Sequence, residues 1–583
     1  MFASWQQSGD TSARESSGPL RSIPGAWPGI ALLCALLTAC GGGGGSVEAP
    51  QATADPLTAF TQQKLDWQAC DPQRLGEGSA QDLAMFPQRA RCARMRVPVD
   101  YDHPGQGELQ IELLRVAAAQ PQRRLGAIVL NPGGPGADGL GAALVSAAQW
   151  TQASPERVGS AQLREMSNRY DLIGFSPRGL STGNPLFCDV AGTLETQDSL
   201  TFNRSAENLQ HAQSNARVIA QACADNPLIA HIHTEGTARD MDLIRAVLGE
   251  AQINYIGYSY GTWLGAWYAR LFPQRVGRML FDSSINTQER LDDQLVQQEM
   301  GKQRILDEIM LPYAERHQHQ LALGSAASLR EALLALPPSL KEALFDRMDF
   351  MHSAQLERTV LRMSAAIGLD RLVRDHPSAQ GQELATLVRN HIFSPLPQTN
   401  AALVPLALEL IGAQEQDENL ALQKNLVAVD AQGKMRLLPT LTVNLSVRCN
   451  DTGSQGDEQY WLDVSRDHVA RYPMVGGRSV LKPCIHWPTP PRKMPPQPVG
   501  QGPQILMLQS RYDGSTPFEG AEATLAALPN ARMIVVENDY MHGLFPYGTD
   551  CVDGQVAAYF LQGTLPPRTS SCAGKPLAGN AGA

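Results

Sequence analysis

The chain has 583 residues, of which 43% are hydrophobic and 18% charged, an ordinary globular composition too long for one simple core. Two structural units are therefore expected. A formal charge of −10 offers no basic stripe for phosphates, which argues against a nucleic-acid partner.

At the N-terminus, Arg14 and Arg21 precede an apolar run from Gly29 to Leu37. The run is too short to cross a bilayer as a mature helix and has the shape of a secretory signal. It ends in Leu37-Thr38-Ala39-Cys40, which resembles the bacterial lipobox, where the cysteine becomes the lipidated first residue after cleavage. Gly41 to Gly45, with Ser46, then form a flexible tether. Residues 1–39 are expected to be a lipoprotein signal and 40–60 a tether on lipidated Cys40. The mature protein is expected to be exported and held in a bacterial cell envelope by lipid alone. Gly41 in place of Asp permits sorting to an outer membrane. The long polar stretch before Arg14 leaves a downstream start codon open.

With Cys34 and Cys40 set aside, eight cysteines remain: Cys70, Cys92, Cys188, Cys223, Cys449, Cys484, Cys551 and Cys572. An even number suits an oxidising compartment. Eight allow 105 pairings in principle, but these fall as four local couples, each closing a short loop, and that pairing is predicted. No C-x-x-C or H-E-x-x-H spacing occurs, so neither a zinc site nor any other cofactor is expected.

From Arg94 onward short apolar runs alternate with helical stretches, an α/β signature. Arg96 to Val99 and Leu109 to Val116 read as opening antiparallel strands. Leu125 to Leu130 is a buried strand entering the glycine loop Asn131-Pro132-Gly133-Gly134-Pro135-Gly136, and Tyr170 to Phe175 is the next strand. Arg239 to Leu248 is amphipathic. The strand Ile253 to Ile256 then runs into Gly257-Tyr258-Ser259-Tyr260-Gly261, a G-x-S-x-G elbow that lifts a serine hydroxyl clear of its own backbone. Val276 to Phe281 is another strand. From Thr287 to Leu438 the sequence turns helical, and a helical block between strands of one sheet reads as an inserted cap. Strand patterning is predicted again at Thr440 to Leu445, Gln504 to Leu508 and Arg532 to Val536. The resulting division is a core over 61–286, a cap over 287–439, a second core part over 440–575 and a tail over 576–583.

A serine nucleophile needs a base, a carboxylate to orient that base, and donors for the developing oxyanion. With the chain order Ser, Asp or Glu, His, His542 after the last strand is the candidate base and Asp513 after Gln504 to Leu508 the candidate orienter. Asp282 is the rival acid, and Asp539 lies too close to His542 in sequence to turn back onto it. Thr516 is placed to fix the Asp513 turn. Pro132 and Pro135 have no N–H, so the oxyanion donors are expected at the N–H of Gly133 or Gly134, with Gly134 favoured, and at that of Tyr260. The pairs His231/His233 and His317/His319 lack further ligand patterning and read as surface residues.

These motifs, with Gly174-Phe175-Ser176-Pro177-Arg178-Gly179, Arg448-Cys449-Asn450-Asp451 and the Cys551 to Cys572 tail, give a chain that resembles the tripeptidyl-aminopeptidase-like (TAP-like) α/β-hydrolases, relatives of proline iminopeptidases. The resemblance runs over nearly the whole mature chain. It implies an α/β-hydrolase fold with a helical cap, Ser259, Asp513 and His542 as a triad, Gly134 and Tyr260 as oxyanion donors, and release of short peptides from free N-termini. It further implies cap carboxylates pairing with the substrate ammonium, with Glu299, Asp307, Glu308 and Glu409 as candidates. The chain departs from the pattern at Ser176, Ala137-Asp138 and Met541, around the pocket mouth. A carboxylesterase using the same triad, and more remotely a non-catalytic ligand-binding envelope lipoprotein, are the competing readings. Oligomeric state is left open.

Overall fold

The computed structural model describes residues 55–75, 79–153, 159–321, 325–415, 427–429, 434–497 and 502–576. The signal, Cys40 and most of the expected tether lie outside the described residues. So does nearly all of the tail.

Nine strands form one sheet in the order β1-β2-β4-β3-β6-β7-β10-β11-β12. They are β1 (Ala90–Pro98), β2 (Glu108–Val116), β3 (Gly126–Asn131), β4 (Tyr170–Phe175), β6 (Ile253–Tyr258), β7 (Val276–Asp282), β10 (Ile505–Ser510), β11 (Arg532–Glu537) and β12 (Thr569–Ala573). The pairs β1·β2 and β2·β4 are antiparallel, and from β4 to β12 all pairs are parallel. The sequence explains the difference. Every residue of β3, β4 and β10 is buried, as continuous apolar runs in a doubly covered parallel sheet require. The edge strand β1 mixes buried with exposed positions. Side chains of β3 alternate between two apolar layers: Ala127 and Val129 join Trp263 and Trp267 on one face, Ile128 and Leu130 join Trp150 and Phe560 on the other.

Between β7 and β10 the chain leaves the sheet. After the helix Leu295–Arg304, the segment Ile305–Met310 and the helices Leu311–Arg316, Ala326–Ala335, Pro338–Phe345, Leu356–Asp375, Gly381–Asn390 and Pro397–Glu415 bury an apolar cluster of their own. The short strands β8 (Val427–Val429) and β9 (Met435–Leu437) then pair with β5 (Cys188–Asp189) in a small antiparallel sheet. The predicted strand at Thr440 to Leu445 is not one: the segment belongs to the helix Pro439–Asp451. Proline at the first helical position presets its backbone. Thr442, Val443, Ser446 and Val447 are buried at i, i+3 and i+4 spacing, which outweighs the β-branched composition. The chain rejoins the large sheet at β10.

The cysteines pair as Cys70–Cys92, Cys188–Cys223, Cys449–Cys484 and Cys551–Cys572, the local pairing the sequence predicts, over separations of 22, 35, 35 and 21 residues. Loops of that length restrict the unfolded chain by about 3–4 kcal/mol per bridge. No helix among the described residues is long and apolar enough to cross a membrane.

Candidate active site

The elbow links β6 to the helix Tyr260–Leu271 through Ser259, which takes φ +55° and ψ −123°. A positive φ is strained for any residue but glycine and is held only where the surroundings fix it. Here both motif glycines are steric necessities. A Cβ on Gly257 would lie 2.5 Å from Gly261 O, and one on Gly261 would lie 2.7 Å from Asn131 O. Ser259 N donates to Asp282 O at 2.9 Å. Its hydroxyl makes no side-chain hydrogen bond among the described residues, and Ser259 lines a cavity of about 70 Å³.

The glycine loop after β3 lies against this elbow. A Cβ on Gly133 would lie 2.5 Å from Tyr258 O and 3.0 Å from Ser259 Cβ. Gly133 N donates to Asn131 Oδ1 at 3.0 Å, so that N–H is occupied. Gly134, in the same cavity wall as Ser259, is the next glycine of the loop. Tyr260 opens its helix, where the first N–H groups have no intrahelical acceptor. The helix that replaces the predicted strand buttresses the loop: Asn444 Nδ2 donates to Pro135 O at 2.8 Å, and Gly136 comes so close to Thr440 O that a Cβ would sit 2.3 Å from it.

Asp513 and His542 are brought together from loops after β10 and β11. His542 Nδ1 lies 2.9 Å from Asp513 Oδ2 and 3.1 Å from Oδ1. The fully buried carboxylate also accepts from Ser515 N at 2.8 Å, Thr516 N at 2.9 Å and Thr516 Oγ1 at 3.0 Å. Thr516 therefore fixes this turn, as expected. A carboxylate at Nδ1 holds the proton there and leaves Nε2 free to accept one. Burial pushes the imidazole pKa down, but the charge and hydrogen bond of Asp513, with Asp282 behind, more than offset it, and the net shift is upward from 6.5.

Asp282, weighed in the sequence only as a rival acid, lies fully buried beneath both loops. Its backbone carbonyl takes the Ser259 N–H, and its carboxylate accepts from Leu544 N at 2.9 Å and Phe545 N at 2.6 Å, two and three residues past His542. Next to it, Ser283 Oγ accepts from Gly543 N at 2.8 Å. Burial drives the Asp282 carboxyl up to about 7, against the pull of those N–H groups. Asp539 instead accepts from Met541 N and Tyr547 Oη.

The cap touches these same loops. His542 N donates to Met351 O at 2.8 Å, and Tyr540 is buried within the cap's own apolar cluster. Cap helix Leu295–Arg304 approaches the Asp513 turn so closely that a Cβ on Gly301 would sit 3.0 Å from Gly514 Cα. None of the four cap carboxylates proposed for a substrate ammonium lines the Ser259 cavity. Glu299 is buried, accepting from Gly477 N and Arg478 N and facing His468 Nδ1 at 2.8 Å. Asp307 pairs with Arg330, Glu409 pairs with Arg358 and Arg362, and Glu308 is exposed.

Other motif residues support the site from behind. Asp451 accepts from Thr234 N, Thr234 Oγ1 and Trp263 Nε1, and Thr234 Oγ1 meets Tyr260 Oη at 2.6 Å. Burial raises the Asp451 carboxyl to about 6. Arg178 forms a buried ion pair with Asp240 at 2.6 Å. At the departures from the family pattern, Arg74 bridges Glu112 and Asp138 and reaches Ser176 Oγ at 3.4 Å. His233 is a correction: it is buried, and its Nδ1 caps the helix Thr234–Val247 by accepting from Gly236 N at 3.0 Å. His231 is half-buried, His317 stacks on Tyr313, and His319 is exposed.

The α/β-hydrolase fold profile matches residues 126–352 and a TAP-like protein profile matches residues 472–572. The chain has an α/β-hydrolase fold with a TAP-like domain and is a serine hydrolase. It is 26% identical to the serine protease Hip1 of Mycobacterium tuberculosis over 88% of this chain and 91% of the relative. It is 27% identical to the tripeptidyl aminopeptidase of Streptomyces lividans over 87% and 86%. It is also 27% identical to the carboxylesterase B of Mycobacterium tuberculosis over 91% and 94%.

Proposed function

We propose that the protein is an exported, lipid-anchored aminopeptidase that releases short peptides from free N-termini through an acyl-enzyme on Ser259. In this reading His542 takes the hydroxyl proton at Nε2 as the oxygen attacks the acyl carbon, then returns it to the leaving amine. Asp513 holds the tautomer and stabilises the imidazolium. The N–H groups of Gly134 and Tyr260 receive the oxyanion, each worth about 3–4 kcal/mol of barrier in comparable sites. Water then attacks the ester with His542 as base, freeing the peptide acid and Ser259. The observation that carries the reading is the strained Ser259 at a glycine-walled elbow, sharing a cavity wall with the Thr516 that holds Asp513 of the Asp513–His542 pair, in a chain whose relatives include a tripeptidyl aminopeptidase.

Esterase activity is the second reading, supported by the carboxylesterase relative and by a Ser259 cavity wall with no carboxylate among the described residues to hold an ammonium. A fluorophosphonate probe should label wild-type protein and not Ser259→Ala; equal labelling of both would remove the nucleophile. Rates on free and N-blocked tripeptidyl anilides, set against simple acyl esters, then decide the substrate. Faster cleavage of the blocked peptides or of esters alone would overturn the aminopeptidase assignment. Anchoring is tested separately: Cys40→Ser should move the protein from the membrane to the soluble fraction.

A further inference from the structure

The cavity beside Ser259 has an unusual charge balance. Its described lining contains no carboxylate and one cation, Arg448. Behind the wall, Arg448 Nη2 and Lys482 Nζ both donate to Asp292, whose side chain is wholly buried. Asp293 adds a second negative charge near Lys482. Lys482 is spent: it is buried, it donates also to Asp292 O at 2.9 Å, and it sits 3.8 Å from the centre of the Trp461 ring. Asp293 lines a separate groove, and Asp513 is engaged by Ser515, Thr516 and His542. Arg448 is therefore the one charged side chain in the described cavity wall.

Most lining amides are satisfied within the wall. Gln294 exchanges hydrogen bonds with the Asn286 backbone, and Asn444 bridges Pro135 O and Arg448 Nη1. One amide remains open: Gln298 makes no side-chain hydrogen bond among the described residues. A wall with one guanidinium, an open amide and no carboxylate favours an anionic acceptor and penalises a cation.

We propose that this cavity seats an acidic side chain on the acyl half of the substrate, next to the scissile bond, with Arg448 as its charge partner. The proposal rests on Ser259 as nucleophile and extends that reading to a substrate class. The test uses the full chain with Ala-Ala-X p-nitroanilides and N-acyl-X p-nitrophenyl esters, X being Glu, Ala or Lys, with fluorophosphonate labelling to count active sites. Glu should exceed Lys in kcat/KM by about tenfold or more on whichever series is cleaved. Arg448→Met should lower the Glu-to-Ala ratio about tenfold, as loss of a charged hydrogen bond does. Should that variant fold poorly, Gln298→Glu puts a carboxylate into the same cavity wall and should shift preference toward Lys. Labelled wild-type enzyme that favours Lys, or ratios unmoved in both variants, overturns the acidic subsite alone. Absence of labelling overturns the nucleophile and this proposal with it.

Discussion

His542 combines two opposed influences, burial that discharges it and a carboxylate that charges it, and the second prevails. A general base works only as neutral imidazole. Wild-type kcat/KM is therefore expected to fall as pH drops through a midpoint above 6.5. Asp513→Asn should move that midpoint downward and reduce kcat by about 10³–10⁴-fold. A pH–rate profile with an unmoved midpoint would contradict the assignment. Asp282 carries a different pH signature. Its carboxyl has an ordinary value of 3.8 unfolded and about 7 folded, so its contribution to stability is whole below 3.8 and is lost as pH rises through about 7. Asp282→Asn should gain stability relative to wild type as pH is raised from 4 to 8, read as the difference in denaturant midpoints; a constant difference would refute this. The pattern of residue types already named Ser259, Asp513 and His542 as candidates, because elbow glycines and post-strand loops leave local traces. Asp282 was visible only as a rival acid, and its role left no trace, since it receives N–H groups from a segment 262 and 263 residues away.

At the scale of elements, the central strands were legible because burial on both faces writes an unbroken apolar run. Thr440 to Leu445 misled for the opposite reason. Its alternation mimics a half-buried strand, whereas the helix is dictated by what packs on it, and back-bonding from Thr442 Oγ1 and Ser446 Oγ to carbonyls four residues earlier lets those hydroxyls sit inside. The cap's existence was readable but its attachment was not. Tyr540 is a core residue of the cap contributed by the base loop. Tyr540→Ala should cost about 3–5 kcal/mol of stability, as large aromatic truncations do. It should also depress kcat further than Leu406→Ala, which cuts the same cluster away from the loops. Equal kcat losses in the two variants would show that the cap does not position His542.

Across the whole molecule, the bridges Cys70–Cys92 and Cys551–Cys572 tie segments to the sheet at β1 and β12, its two edge strands. Reduction should lower the thermal midpoint, and Cys551→Ser/Cys572→Ser alone should cost about 3 kcal/mol. An unchanged midpoint would mean the bridge contributes nothing to stability. The order in which the chain emerges adds a temporal consequence. Nearly half the sequence separates Ser259 from His542, and the base loop is held by β7, the cap and β11, all earlier in synthesis. On the proposed triad, a prematurely stopped polypeptide displays its hydroxyl without the imidazole, and hydrolytic competence arrives late in synthesis.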